Sequence, residues 1–101
     1  MKTISVIMVT VNNLRNARKI AEILLKERLV ACINIIKNID SFYWWKGKIE
    51  KGKEVLLIIK TRKYKIKKLI KRVKEIHPYS VPEIVAWDIK KDNIDYINCI
   101  Y

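Results

Sequence analysis

The chain has 101 residues, enough for one domain with a real core and too few for a separate catalytic module. Half of the residues are hydrophobic, yet no apolar stretch approaches the roughly 20 residues needed to cross a bilayer, so neither a signal peptide nor a membrane partner is expected. The formal net charge of +12 would attract polyanions or acidic partners but identifies none of them.

The chain is predicted to open with a strand and a helix. Residues 2–11 place apolar side chains on both faces of an alternating pattern, which indicates a strand that is covered on both sides. Apolar residues then recur at helical spacing, so we expect a helix that is capped by Asn12 or Asn13 and ends near Arg28.

Two further strands are predicted in the middle of the chain. β-branched and aromatic residues from Ala31 to Trp45 indicate a strand, interrupted near residues 38–40, where polar residues cluster. Residues 46–53 are expected to turn the chain. The segment Glu54–Thr61 is then predicted to be a strand with two apolar faces, which is typical of a central strand.

The last third of the chain predicts helix, strand and helix. An amphipathic helix between Ile66 and Ile76 carries a lysine-rich outer face and is ended by the segment HPYSVP. Glu83–Ile89 is predicted to be the fourth strand. Asp92 or Asn93 is then expected to cap a short last helix.

This order of elements predicts an α+β fold, namely ferredoxin-like βαββαβ with a C-terminal helix and an antiparallel sheet. Both crossover helices would cover one face, although the strands are apolar on both. The segment FYWW shows the same conflict, because Phe42 and Trp44 point to one side while Tyr43 and Trp45 point to the other. Other copies of the chain are the simplest cover, so we expect these four residues in an oligomer interface.

Several segments, taken in order, resemble the CutA family of divalent-cation tolerance proteins. They are ACINI from Ala31, SFYWWKGKIE from Ser41 with Glu54 shortly after, KT at Lys60, and HPYSVPEI from His77. The resemblance covers essentially the whole chain. It implies one CutA-like domain that forms a cytoplasmic homotrimer, with the long hairpin of strands two and three reaching across subunits. It also implies tolerance of copper and other divalent metals, without an enzymatic reaction or an obligatory cofactor.

His77 is the candidate metal ligand, because it is the only histidine and neutral imidazole suits copper, nickel or zinc. That role requires further ligands from another subunit or from carboxylates such as Glu54 and Glu83. The alternative is a residue at a helix end that hydrogen-bonds backbone or a neighbouring carboxylate. Some family members carry a cysteine at the position of Val9 and a second histidine at that of Ile76; this chain has neither, so such a site does not carry over intact.

A polar group of residues suggests a pocket between subunits. Lys60 ends an apolar strand, and a partly buried ammonium needs a carboxylate or phenol. The candidates are Tyr43, Glu54, Tyr79 and Glu83, and the cluster either stabilises the trimer or binds a small anion or metal complex. The alternative function is therefore a trimeric small-ligand-binding signalling module with its ligand between subunits.

Other kinds of site find little support. Cys32 and Cys99 form no CxxC pair and are expected to be reduced packing residues. Nine basic residues and no acidic one lie between Lys60 and Lys74, but the third strand lacks the exposed aromatic residues that stack RNA bases, so a nucleic-acid partner is not expected. No catalytic nucleophile and base pair or glycine-rich phosphate loop is present, which predicts a protein that is not an enzyme.

Overall fold

The computed structural model describes residues 2–90 and 93–101. The elements are β1 (Ile4–Val11), α1 (Leu14–Lys26), β2 (Cys32–Trp45), β3 (Lys48–Arg62), α2 (Ile66–Ile76), β4 (Ile84–Asp88) and α3 (Ile94–Ile100). The strands form one antiparallel sheet in the order β2-β3-β1-β4. This is the ferredoxin-like arrangement, so the predicted fold class is confirmed.

The core lies between α1, α2 and one face of β1 and β3. Alternate residues of the two central strands point into it, as the two-residue period of a strand requires. Its fully buried members include Ile7, Val9, Val11, Leu57, Ile59, Leu24, Leu69 and Val73. This arrangement makes β1 and β3 the rigid support from which the rest of the sheet extends.

The first helix begins as predicted and ends slightly earlier. The Oδ1 atom of Asn13 accepts the backbone N–H of Asn16 at 2.8 Å, so Asn13 is the cap. Arg28, where the helix was expected to end, instead takes a left-handed φ of 56° just beyond Lys26. Backbone bonds from Arg28 and Leu29 back into the last turn complete a Schellman ending.

The hairpin of β2 and β3 is longer than predicted. Only Lys46 and Gly47 form the turn, with φ values of 51° and 78°, as in a type I′ hairpin turn. The third strand therefore begins at Lys48 and not at Glu54. The expected turn over residues 46–53 is wrong because a two-residue turn leaves residues 48–53 paired with β2.

The predicted interruption of β2 is confirmed as a break in strand pairing. The register shifts between Ile36 and Ile39, and Asn38 between them has a φ of 58°. An irregularity of this kind bends a strand and increases its twist. It separates the part of the hairpin over the core from the part that extends beyond it.

The end of the chain largely follows the prediction. The strand β4 is shorter than expected, since it spans Ile84–Asp88. Asn93 caps α3, accepting the backbone N–H of Asp95 at 2.9 Å, whereas the alternative cap Asp92 lies outside the described residues. No helix within residues 2–90 and 93–101 is long and apolar enough to cross a membrane.

The second face of the sheet is only partly covered within one chain. On β3, Val55 and Leu57 are buried under the helices, whereas Leu56, between them in sequence, is half-buried on the opposite face. At the hairpin, 65% of Phe42 and 72% of Trp44 is exposed. The predicted excess of apolar surface is therefore present in the folded chain.

Candidate functional site

A cleft of about 910 Å³ lies beside the long hairpin. Residues of β2 and β3 form one wall, and the segment 79–83 after α2 forms the other. Thr10, next to the last residue of β1, also lines the cleft. Pro78 and Pro82 bracket this segment and keep it from continuing α2, which places its side chains opposite the hairpin.

Carboxylates dominate the charge of the cleft. Asp40, Glu50, Glu54 and Glu83 line it, and Lys53 is the one lysine or arginine among its lining residues. The Nζ atom of Lys53 lies 2.7 Å from Oδ1 of Asp40, so the ammonium is already paired. In a chain with 22 basic and 10 acidic residues, this cleft is a local concentration of negative charge.

A hydrogen bond joins the two walls. The hydroxyl of Tyr79 donates to Oε2 of Glu54 at 2.7 Å. Burial disfavours the phenolate and the neighbouring Glu54 carboxylate adds to the effect, so the pKa of Tyr79 is raised well above its ordinary value. The Tyr79 hydroxyl therefore stays protonated and keeps Glu54 in place.

Alkaline titration of the tyrosines should show this arrangement. The pKa of exposed Tyr64 is lowered by a hydrogen bond from Arg62, so Tyr64 is expected to ionise before Tyr79. The titration is followed by the absorbance of the phenolate. Tyr79→Phe should remove the transition at the highest pH, and Tyr64→Phe should remove one at lower pH. The stabilisation from neutral Tyr79 is present below the ordinary tyrosine pKa of about 10 and is lost as the pH rises above it. An unchanged late transition in Tyr79→Phe would contradict the assignment.

His77 lies behind the cleft wall with both ring nitrogens engaged. Its Nδ1 atom accepts the backbone N–H of Tyr79 at 3.0 Å, so Nε2 carries the proton and donates to the carbonyl of Thr10 at 2.8 Å. Only 8% of the residue is exposed. A metal ion could bind His77 only by displacing one of these bonds, and its role as a ligand stays a prediction.

The structure brings together four of the five predicted pocket residues. Tyr43, Glu54, Tyr79 and Glu83 line the cleft, whereas Lys60 does not. Lys60 lies six residues further along β3, about 20 Å at the rise of a strand. There it donates to the side-chain oxygen of Asn34. Lys60 is separated from the others because β3 runs straight past the cleft toward its far end.

Asp40, Glu50 and Lys53 are cleft residues that the sequence analysis missed. Their positions follow from the register of the hairpin, because the two-residue turn at residues 46–47 places Glu50 directly opposite Tyr43 and Lys53 opposite Asp40. The longer turn that was predicted left these residues without strand partners.

The described residues do not assemble a metal centre. No group of three or more His, Cys, Asp or Glu side chains within residues 2–90 and 93–101 is placed to hold a metal ion. Cys32 is half-buried and Cys99 is exposed, and both are free thiols. Val9 is fully buried and Ile76 packs against the core, so both positions serve packing here.

The whole chain is similar to one protein family. The family model described as "CutA1 divalent ion tolerance protein" matches residues 5–101. The chain belongs to the CutA1 family. The resemblance seen in the sequence motifs is thereby confirmed over nearly the full length.

Relatives of known structure and sequence agree with this family. The chain is 44% identical over 93 residues to the "Divalent-cation tolerance protein CutA" of Thermus thermophilus, covering 92% of this chain and 90% of that protein. The CutA1 crystal structure from Oryza sativa aligns with a TM-score of 0.94 at 41% identity, covering 97% of this chain and 90% of that one. The CutA1 structure from Ehrlichia chaffeensis also has a TM-score of 0.94, at 34% identity over 99% of this chain and 94% of that one.

Proposed function

We propose that this member of the CutA1 family is a non-enzymatic cytoplasmic homotrimer that binds divalent cations, copper among them, weakly and takes part in the response to metal ions. The names of its relatives support the link to divalent-cation tolerance. The exposed apolar surface supports the assembly, and it is the observation that carries the proposal.

Hydrophobic burial supplies the free energy for the trimer. Phe42 and Trp44 project from the hairpin into solvent on one side, and Tyr43 and Trp45 on the other. Burying one large aromatic side chain contributes roughly 2–3 kcal/mol, so four of them per subunit supply roughly 8–12 kcal/mol against the cost of association. Repulsion between chains of charge +12 opposes assembly, but salt screens exposed charges beyond about 10 Å.

Divalent cations would bind through carboxylates, since oxygen ligands are what the open cleft offers. One chain does not preassemble three ligands in its described part, so the affinity is expected to be weak or to depend on ligands from more than one subunit. The cleft carboxylates Glu50, Glu54 and Glu83 are the candidates. His77, the ligand predicted from the sequence, lies outside the cleft lining and has both ring nitrogens engaged by backbone groups.

Copper binding by wild type and His77→Ala tests the metal role. Calorimetric titration and the metal content after dialysis should show weak binding by the wild type. We expect His77→Ala to retain it, because both ring nitrogens of His77 are occupied by backbone partners. A folded variant that loses copper would make His77 a ligand after all. Absence of binding by the wild type would remove the metal function.

The cleft favours a second candidate, a trimeric small-ligand-binding signalling module. Its volume of about 910 Å³ lies within the range of about 300–1,000 Å³ that is usual for small-molecule sites. Thermal-shift measurements against a panel of metabolites would test this function. A ligand that raises the melting temperature of the wild type and not of a cleft variant would support it.

A further inference from the structure

We propose that the outer face of the two long helices binds duplex DNA through its phosphates, without recognising a base sequence. This basic surface is formed by six exposed side chains of α2 and of the chain at the end of α1, namely Lys26, Arg28, Lys67, Lys68, Lys71 and Lys74. It lies on the opposite side of the sheet from the face that the proposed trimer would cover. The inference goes beyond the proposed function, because it needs neither copper nor a ligand in the cleft.

Hydrogen bonds join the two helices at this surface. The Nζ atom of Lys65 donates to the carbonyl of Arg28 at 2.6 Å, which links the start of α2 to the residues after α1. Further along α2, the Nε and Nη2 atoms of Arg72 donate to the carboxylate of Glu27 at 2.9 and 2.8 Å. These bonds hold the lysines of α2 beside the basic end of α1, so their charges form one continuous surface.

The positive charge of the basic surface is not balanced within the chain. None of its six side chains forms an ion pair in residues 2–90 and 93–101. The two carboxylates adjacent to it in sequence, those of Glu27 and Glu75, are both engaged by Arg72, at 2.8 and 3.5 Å. A polyanion can therefore contact these basic groups without first breaking an ion pair.

Folding alone does not favour this arrangement of lysines. Lys67 and Lys71 are four residues apart, and Lys71 and Lys74 are three apart, so like charges are neighbours along α2. Such pairs destabilise a helix. The first turn of α2 contains no acidic residue, although the positive end of the helix dipole lies there. A phosphate backbone beside the helix reduces both penalties, so bound DNA would stabilise α2.

Phosphate binding does not need the base-stacking residues whose absence argued against a nucleic-acid partner. Neither α1 nor α2 contains an aromatic residue, so a single strand finds no stacking platform on these helices either. In addition, α2 contains no serine, threonine, asparagine or glutamine to contact the 2′-hydroxyl groups of duplex RNA. Its exposed residues are lysines and one glutamate, without the apolar side chains that insert into a bilayer surface. Duplex DNA, with its dense and regular phosphates, is the polyanion that fits.

Fluorescence anisotropy of short labelled DNA duplexes tests the proposal. The wild type should bind two duplexes of unrelated sequence equally, with a dissociation constant below about 100 μM in about 0.1 M salt. The triple variant Lys67→Gln, Lys68→Gln and Lys71→Gln should bind at least about tenfold more weakly, because it loses up to three phosphate contacts. For the same reason, the slope of log affinity against log salt should become less steep by about 3.

The matched control removes the same charge from the hairpin. Lys37→Gln, Lys48→Gln and Lys51→Gln change three exposed lysines of β2 and β3, and this variant should lose less than about threefold in affinity, since salt screens charges beyond about 10 Å. The melting temperature of the α2 variant should equal or exceed that of the wild type, because neighbouring like charges have been removed. Lost DNA binding in that variant then cannot be attributed to unfolding.

Each other result would overturn the proposal. Absence of binding in about 0.1 M salt, or unchanged binding in the α2 variant, would show that the basic surface does not bind DNA. Equal losses in both triple variants would assign the binding to net charge alone. Tighter binding of single-stranded DNA, duplex RNA or phosphatidylserine vesicles would assign the surface to that other partner.

Oligomeric mass and copper binding are measured on the same samples. The basic surface belongs to a single chain, so a monomer that binds duplex DNA would refute the assembly and leave this inference standing. A trimer that binds copper but not DNA would refute this inference alone.

Discussion

Trp44→Ser combined with Phe42→Ser should convert the assembled protein to monomers. Both side chains are largely exposed in the single chain, at 72% for Trp44 and 65% for Phe42, so their loss costs an isolated subunit little. In the trimer each would bury an aromatic side chain worth roughly 2–3 kcal/mol. Losing about 5 kcal/mol per subunit raises the dissociation constant of an interface by three to four orders of magnitude, at about 1.4 kcal/mol for each factor of ten.

Light scattering and mass measurements from nanomolar to micromolar protein would detect this change. The matched control is Tyr64→Ser, because Tyr64 is also aromatic and 66% exposed but lies just before α2, away from the hairpin. The control should keep the mass of the wild type. A wild type that is monomeric throughout this range, or a double variant that still forms trimers, would contradict the proposed assembly.

His77→Ala should strongly destabilise the folded chain. The imidazole is buried and joins two backbone groups that are distant in sequence, the carbonyl of Thr10 and the N–H of Tyr79. Truncation leaves both groups without this partner and opens a void under the cleft wall. We expect the free energy of unfolding to fall by about 2–4 kcal/mol.

Chemical denaturation at one fixed protein concentration measures this loss, since the apparent stability of an oligomer depends on concentration. Lys74→Ala is the control, because its side chain is exposed in the last turn of α2 and should change stability by less than about 0.5 kcal/mol. A loss below about 1 kcal/mol for His77→Ala would show that the two hydrogen bonds contribute little.

The candidate site was predictable where its residues belong to a recognisable motif. Glu54, Tyr79 and Glu83 lie in the segments that carry the family resemblance, and the structure places them together with Tyr43. Lys60 belongs to the same motifs but lies outside the cleft. The motifs did not predict this, because a motif gives the spacing of residues along the chain and not their distance in space. Asp40 and Lys53 were not predictable without the hairpin register that pairs them.

The sequence by itself determined the types of the elements, their order and the family of this protein. These follow from local signals, since the two-residue period of Val55 and Leu57 and the helical period of α2 are repeated within a few residues. Only the tertiary structure decided the length of the hairpin and the partners of His77. Residues 48–53 contain one large apolar side chain, Ile49, and so show no apolar period. The carbonyl that His77 contacts lies 67 positions away in the chain. Contacts of that kind depend on how the whole sheet is paired, which no short stretch of sequence records.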